Sequence, residues 1–173
     1  MKKIMVASML AVVLLVVFVH LSNAEMAKEG TFSGAVTYAG SHHMIPLDKR
    51  RVIIVYENMG VRVSDSGEGP FHGSSTRNVG VIYYENGVGR LRGYIISIDK
   101  DGDKVLMELT EEAGQMPPKP TSGTGEIVGG TGKFKGITGS MEYVRRNLRP
   151  IADGTHQAIS KNKGTYKIVD PKK

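Results

Sequence analysis

The amino-acid sequence predicts an all-β fold, a closed antiparallel barrel of about eight strands. Short apolar segments alternate with Gly, Asn and Asp turn signals along most of the chain, and the same region carries no long helical periodicity. Eight to ten strands are enough to close a barrel, and closure protects the edges that an open sheet would expose. The candidate strands are residues 30–39, 51–57, 60–65, 77–85, 90–99, 104–111, 124–128, 137–144, 156–160 and 164–169.

The start of the chain has the pattern of an export signal peptide over residues 1–24. Two lysines precede an almost unbroken apolar run at 4–19, and small residues at 22 and 24 offer a cleavage site. A retained membrane anchor is the alternative, because the run approaches the span of a bilayer. The cleavage-like residues favour removal. We therefore expect a periplasmic or secreted protein with one β-barrel domain, residues 25–173, and no membrane contact after cleavage.

Composition excludes several classes of function. The absence of Cys excludes disulfides, thiolate metal sites and a cysteine nucleophile. The formal charge of +6 is spread along the chain, and aromatic residues make up only 6%. A nucleic-acid-binding protein should instead show a clustered basic stripe with stacking aromatics. We therefore expect no nucleic-acid partner.

Two segments resemble ligand motifs but depart from them in detail. Residues 129–136 are Gly-rich, yet Ile127 stands where a phosphate loop needs Gly, and Phe134 stands where it needs Ser or Thr. Alternating aspartates at 99–103 lack the Gly and Glu positions of a calcium loop. We interpret both as tight turns and expect no metal and no organic cofactor.

Two turn dipeptides set the expected register of three consecutive strands. Asn86-Gly87 is typical of a two-residue type I′ hairpin turn, and Asp101-Gly102 is a second turn of the same kind. The first predicts that Glu85 pairs with Val88, Tyr83 with Arg90, Val81 with Arg92 and Val79 with Tyr94. The second predicts that Lys100 pairs with Asp103, Ile98 with Val105 and Ile96 with Met107.

This register sorts side chains onto two faces, because neighbours along a strand alternate. One face has apolar residues toward Asp101 and a polar, aromatic group at the opposite end. If that face is the barrel interior, it forms a ligand pocket with a polar rim. The expected ligand-binding residues are Arg77, Tyr83, Arg92, Tyr94 and Met107, and Tyr83 and Glu111 are candidate catalytic groups. The alternative is that Arg92 and Glu111 form an exposed ion pair.

Both faces of these strands are substantially apolar, so the outer wall is also expected to be covered, for example by a neighbouring subunit.

Residues 127–139, with the sequence IVGGTGKFKGITG, resemble the signature turn of dirigent proteins and allene oxide cyclases. The resemblance implies a calycin-like eight-stranded barrel with a hydrophobic cavity, often a trimer. It also implies steering of cyclisation or radical coupling without a cofactor, here in a bacterial exported member. The matched run is a structural turn, so it transfers no catalytic residue.

Three functions fit these observations. The first is an exported barrel that binds a small apolar or phenolic molecule in its cavity. The second is a cofactor-independent cyclase or isomerase acting on a lipophilic substrate, with Glu111 or Tyr83 moving a proton. The third is a non-catalytic envelope interaction protein that works through its loops, such as the Gly-rich 64–75 and the Pro-rich 116–120.

Overall fold

The fold is a closed antiparallel barrel of eight strands in sequential order, with the last strand paired to the first. This confirms the predicted fold class. The computed structural model describes residues 26–112 and 120–169. The strands are β1 (Glu29–Pro46), β2 (Arg51–Ser64), β3 (Ser75–Glu85), β4 (Val88–Ile98), β5 (Lys104–Glu111), β6 (Thr121–Gly130), β7 (Ile137–Leu148) and β8 (Thr155–Ile168), with a short 3-10 turn at Gly132–Phe134.

Two of the predicted strand breaks are absent, which reduces ten candidate segments to eight strands. Gly60 lies inside β2 and Gly164 inside β8. A Cβ atom at Gly60 would collide with the carbonyl oxygen of Thr37, and one at Gly164 with the carbonyl oxygen of Ser140. These glycines therefore permit close approach of neighbouring strands rather than ending a strand.

Several predicted features lie outside the described residues. The expected signal peptide at 1–24 is one of them, and residues 116–119 of the Pro-rich segment are another. Within 26–112 and 120–169, no helix has the length and apolar character needed to cross a membrane.

The first predicted hairpin is confirmed. Asn86 has φ +53° and Gly87 has φ +79°, as a type I′ turn requires. Glu85 pairs with Val88 and Val81 with Arg92, so the whole β3–β4 register is the expected one.

The predicted register of the second hairpin is wrong by one residue. The amide of Asp99 donates to the carbonyl of Asp103, and the amide of Gly102 donates to the carbonyl of Asp99. Gly102 has φ +86°, so the loop is a type I turn followed by a left-handed glycine, which needs three residues instead of two. As a result Ser97, not Ile98, pairs with Val105, and Ile95, not Ile96, pairs with Met107.

The barrel has two different ends. We call the end with the β2–β3, β4–β5 and β6–β7 connections the floor, and the opposite end the mouth. The floor is closed by packed aromatic and aliphatic side chains from strands and loops. Its main members are Phe32, Phe71, Val105, Phe134, Ile137, Tyr166 and Ile168.

Candidate functional site

The expected interior position of the arginine–tyrosine group is wrong. Arg77 and Arg92 are exposed on the outer wall, and Tyr94 is 46% exposed there. Tyr83 shares this outward face and is half-buried. The inward residues of β3 and β4 are those on the opposite face, which the predicted register placed outside. Glycines are among them, and large side chains fit a barrel interior where such small residues face them. The inward residues include Asn78, Gly80, Ile82, Leu91, Gly93 and Ile95.

Met107 and Glu111 do lie inside the barrel, on β5. Met107 is fully buried and Glu111 is 2% exposed. They face the interior together with the inward residues of β4 only because the loop at 99–103 shifts the register by one residue. The alternative of an exposed Arg92–Glu111 pair is also wrong, since these two side chains lie on opposite faces of the wall.

The candidate site is a mixed polar and apolar cluster at the centre of the barrel. Between its side chains remains a cavity of about 20 Å³, roughly the space of one water molecule. This differs from the hydrophobic cavity that the family resemblance implies. The lining residues are Tyr38, Tyr56, Arg62, Asn78, Leu91, Ile95, Leu109, Glu111, Met141, Tyr143, Arg145, Ser160 and Asn162.

Inward glycines set the positions of the interior tyrosines. A Cβ atom at Gly80 would stand 2.5 Å from the hydroxyl oxygen of Tyr56, and one at Gly93 would stand 2.7 Å from it. The phenol of Tyr56 therefore lies against two bare stretches of backbone, and its hydroxyl is 3.4 Å from Oδ1 of Asn78. Tyr143 packs in the same way against Gly123.

Glu111 and Arg145 form a buried ion pair toward the mouth. Nη2 of Arg145 donates to Oε1 of Glu111 over 2.6 Å, and their side chains are 15% and 1% exposed. Such a pair is costly to desolvate and costly to break, because either partner alone would be a buried uncompensated charge. It fixes a carboxylate and a guanidinium beside Tyr143, whose pKa is raised by burial and by the adjacent Glu111 carboxylate.

Arg62 is the least compensated charge in the interior. It is 2% exposed, and Nη1 donates to Oδ1 of Asn162 over 3.2 Å. Its guanidinium carbon lies 5.7 Å from the ring centres of both Phe32 and Phe71. Nε has no hydrogen-bond partner, and no carboxylate among the described residues forms an ion pair with this group. Burial lowers the pKa of Arg62, and the nearby Tyr38 acts in the opposite direction.

The interior phenols are neutral donors at physiological pH. Burial raises the pKa of Tyr38 to about 12, against the charges of Arg62 and Arg145. Burial also raises the pKa of Tyr56 well above its ordinary value. The cluster therefore combines neutral hydroxyl donors with two guanidinium groups and one carboxylate.

Two histidines lie near the mouth of the barrel. The ring centre of half-buried His156 is 5.7 Å from that of His42 and 6.3 Å from that of Tyr56. Burial, with the charges of His42 and Arg145, lowers the pKa of His156 to about 4. His156 is therefore neutral at pH 7. Across 26–112 and 120–169, no three His, Asp or Glu side chains converge into a group that could hold a metal ion.

Two larger depressions lie against β1, β6, β7 and β8, with volumes of about 890 and 680 Å³. Ser, Thr, Gly and charged residues dominate both linings. The larger one also reaches the connection between β2 and β3, and its lining includes Arg62 near the end of β2 and Phe71 in the connection. It thus connects the floor of the barrel to the surroundings.

Sequence reasoning missed the residues that form the centre of the site. Arg62 stands between Val61 and Val63, and the alternation rule places such valines inside and the arginine outside. The structure has the reverse, with Val61 and Val63 about half exposed. The available signal was the row of glycines on the inward face, since Gly in a strand often marks a site where another group approaches closely.

Comparison with known proteins bears on the fold. No protein-family model matches the sequence. No curated protein matches it either. Among solved structures, the pterocarpan synthase dirigent protein GePTS1 superposes with a TM-score of 0.52 at 10% identity, covering 85% of this chain and 91% of that one. The chain has a dirigent-like barrel fold. At this identity the likeness extends to the dirigent-like backbone alone and assigns no residue a role.

Proposed function

We propose that this protein is an exported binding protein that holds a small apolar or phenolic molecule inside its dirigent-like barrel. The observation that carries the proposal is the unpaired polar interior. Oδ1 of Asn58, Nε of Arg62 and Nε of Arg145 are buried without a hydrogen-bond partner among the described residues. Each such atom costs about 1–3 kcal/mol, so an interior serving only as a core would be expected to be apolar.

Ligand binding needs more space than the present conformation leaves. A cavity of about 20 Å³ is far below the several hundred Å³ typical of small-molecule pockets. Interior groups must therefore move aside when a ligand enters. Met141 lines this cavity and Met107 is buried in the barrel, and methionine is the apolar side chain that repacks most readily.

The interior groups suit a phenolic or otherwise weakly polar ligand. Neutral hydroxyls of Tyr38, Tyr56 and Tyr143 can donate to a ligand oxygen, and Glu111 can accept from a ligand hydroxyl. Leu91, Ile95 and Leu109 supply the apolar wall. A ligand whose hydroxyl pairs with these groups binds better than a ligand that leaves them unpaired. The site therefore selects ligands that carry such a hydroxyl.

The test is a thermal-shift and native mass spectrometry screen with simple phenols of increasing apolar size. We expect at least one to raise the melting temperature and to remain bound at one molecule per chain. Tyr143→Phe should weaken that binding, whereas Arg92→Ala, on the outer wall, should not. Binding that is lost equally in both variants, or absent for every phenol, contradicts the proposal.

Export is part of the same proposal and has its own test. Production of the full chain in a bacterial host, followed by cell fractionation and intact-mass measurement, should recover a protein that begins at Glu25 outside the cytoplasm. Recovery of the uncleaved chain in the membrane fraction would favour the anchor alternative instead.

A second candidate function is a cofactor-independent isomerase, favoured by the position of Glu111. This carboxylate is buried, lines the central cavity and lies beside Tyr143. A base and a neutral acid so placed can remove a proton from one carbon of a bound lipophilic enone and return one to another. The test is deuterium uptake from D₂O into such an enone, expected with the natural chain and lost in Glu111→Gln.

A further inference from the structure

The connection between β2 and β3 closes the floor of the barrel with an aromatic side chain. We call residues 65–74 the floor loop. Phe71, within it, is only 3% exposed although the loop around it is largely open to solvent. A phenylalanine that points from a surface loop into the base of a barrel occupies space that the strands alone would leave unfilled.

The slot that holds Phe71 is aromatic on three sides. Its ring centre lies 4.8 Å from that of Phe32 and 5.7 Å from that of Tyr166, both edge to face. The ring is stacked with Phe134 at 6.0 Å and an interplanar angle of 13°. The Arg62 guanidinium lies 5.7 Å away on another side. The slot thus recognises a flat ring by its faces and edges.

The floor loop is anchored to the strands at both ends and has further bonds between the anchors. The amide of Asp65 donates to the carbonyl of Ser33, and the amide of Gly73 donates to the carbonyl of Arg62. Oγ of Ser74 donates to the carbonyl of Phe71, and the amide of His72 donates to the carbonyl of Gly69. Oγ of Ser64 donates to the carbonyl of Glu68. Withdrawal of Phe71 therefore involves residues 66–72, which lie between these anchors, and leaves the two anchoring bonds to β1 and β2 in place.

Three glycines give the loop its inserted shape. Gly67, Gly69 and Gly73 have φ values of +75°, +103° and +69°, and a Cβ atom on any of them would meet nothing within 4 Å. An alanine there would be strained by backbone conformation alone and would cause no clash. Such a substitution would therefore oppose the inserted loop without touching the slot.

We infer that Phe71 is an exchangeable plug and that its slot binds a small aromatic acid, whose ring replaces the phenylalanine ring and whose carboxylate pairs with Arg62. This inference rests on the proposed function and names its ligand class and its entrance. The exchange is non-covalent. The depression of about 890 Å³ beside the floor loop has Arg62, Phe71 and Asn162 in its lining, so it leads to the slot.

The charge and size of the slot select this class. Nε of Arg62 is nine-tenths or more buried and has no hydrogen-bond partner among the described residues, and a carboxylate is the group that a guanidinium binds best. Nη1 of Arg62 already donates to Asn162, and this hydrogen bond orients the guanidinium group. A cavity of about 150 Å³ accepts a benzene ring, and a departing phenylalanine ring vacates space of its own shape. A ring with a short acidic arm therefore meets both requirements.

The experiment compares trans-cinnamate with neutral trans-cinnamamide by isothermal titration calorimetry. The variant Gly69→Ala/Gly73→Ala disfavours the inserted loop, and Gly154→Ala is the matched control, since Gly154 also has positive φ and open surroundings but lies at the mouth. We expect the natural chain to bind cinnamate better than the amide. The loop variant should bind cinnamate roughly fivefold or more tightly, and the control unchanged.

Further variants separate the inference from the proposed function. Phe71→Leu should bind cinnamate more tightly, and Arg62→Met should lose the preference for the acid over the amide. If phenols or cinnamate bind but the loop variant binds no tighter than the control, the plug is wrong and the proposed function stands. Equal binding of acid and amide overturns the ligand class. If neither phenols nor cinnamate bind to the natural chain or the loop variant, both fail.

Discussion

Nη2 of Arg145 on β7 donates to Oε1 of Glu111 on β5 over 2.6 Å, across the intervening strand β6. The two residues meet because the curved wall turns their side chains toward one axis. Their pairing compensates a carboxylate that is buried inside the barrel beside the interior phenols.

Removal of Arg145 should therefore destabilise the fold strongly. Arg145→Met leaves Glu111 as a buried, unpaired charge, and urea unfolding should show a loss of roughly 3–5 kcal/mol. The double variant Arg145→Met/Glu111→Leu should recover most of that loss. The exposed pair of Lys163 and Glu142, 3.4 Å apart, is the control, since Lys163→Met should cost less than about 0.5 kcal/mol. Equal costs for Arg145→Met and Lys163→Met would contradict the buried pair.

The inward glycines should be far less tolerant than an outward one. Gly93→Ala places a methyl group 2.7 Å from both the Tyr56 hydroxyl and the carbonyl of Val79, so we expect destabilisation of roughly 1–3 kcal/mol by overpacking. Gly129→Ala meets nothing within 4 Å and should be nearly neutral. Thermal unfolding of the two variants measures the difference. A neutral Gly93→Ala would mean that Tyr56 does not lie where we place it.

Acid should weaken the fold through His156. Its pKa of about 4 in the fold is below the value of about 6.5 expected when unfolded, so between these values the unfolded chain takes up a proton that the folded chain refuses. Stability should therefore fall as the pH drops from about 6.5 to 4, by at most on the order of 3 kcal/mol, and this contribution should be constant above pH 7. Urea unfolding across this range measures the slope.

His156→Gln should flatten that part of the pH profile. His43, which is exposed on the outer face of β1, offers the control substitution His43→Gln. The origin of the slope is misassigned if both variants keep it or if both lose it.

Self-association remains a prediction, and we expect its interface on the outer wall of the barrel. Outward side chains of β2–β4 include Val55, Met59, Val61, Val81 and Tyr94, each more than two-fifths exposed. Exposed apolar side chains grouped on one face, here around the Arg77–Glu57 ion pair, are typical of interfaces. We expect sedimentation velocity to detect an oligomer that Val81→Glu dissociates. Val128→Glu, equally exposed on β6, should leave it intact. A monomeric natural chain would contradict the expectation.

The sequence determined the strand content and one hairpin because those follow from local chemistry. Asn86 and Gly87 must both adopt positive φ, and few residue pairs do so easily. The second hairpin was harder to predict, because Asp-Gly fits both a two-residue turn and the left-handed end of a three-residue loop. The choice depends on how β4 and β5 pair within the barrel, which is not a local property.

The interior could not be predicted by the usual preference for apolar residues inside. Val61 and Val63 face outward, while Arg62 faces inward, because the barrel has apolar material on both sides of its wall. The curvature of the sheet and the glycines opposite large rings decide which face of the wall lies inside the barrel. Single-strand alternation carries neither kind of information.

The contact between Tyr56 and the bare backbone at Gly80 and Gly93 has a practical consequence for anyone reshaping this scaffold. Replacement of Tyr56 by a smaller residue would create a cavity at the centre of the barrel and leave the strands unaltered, because Gly80 and Gly93 carry no side chains to fill it. The same eight-stranded barrel could then bind ligands of different sizes, and the residue placed at position 56 would set the size.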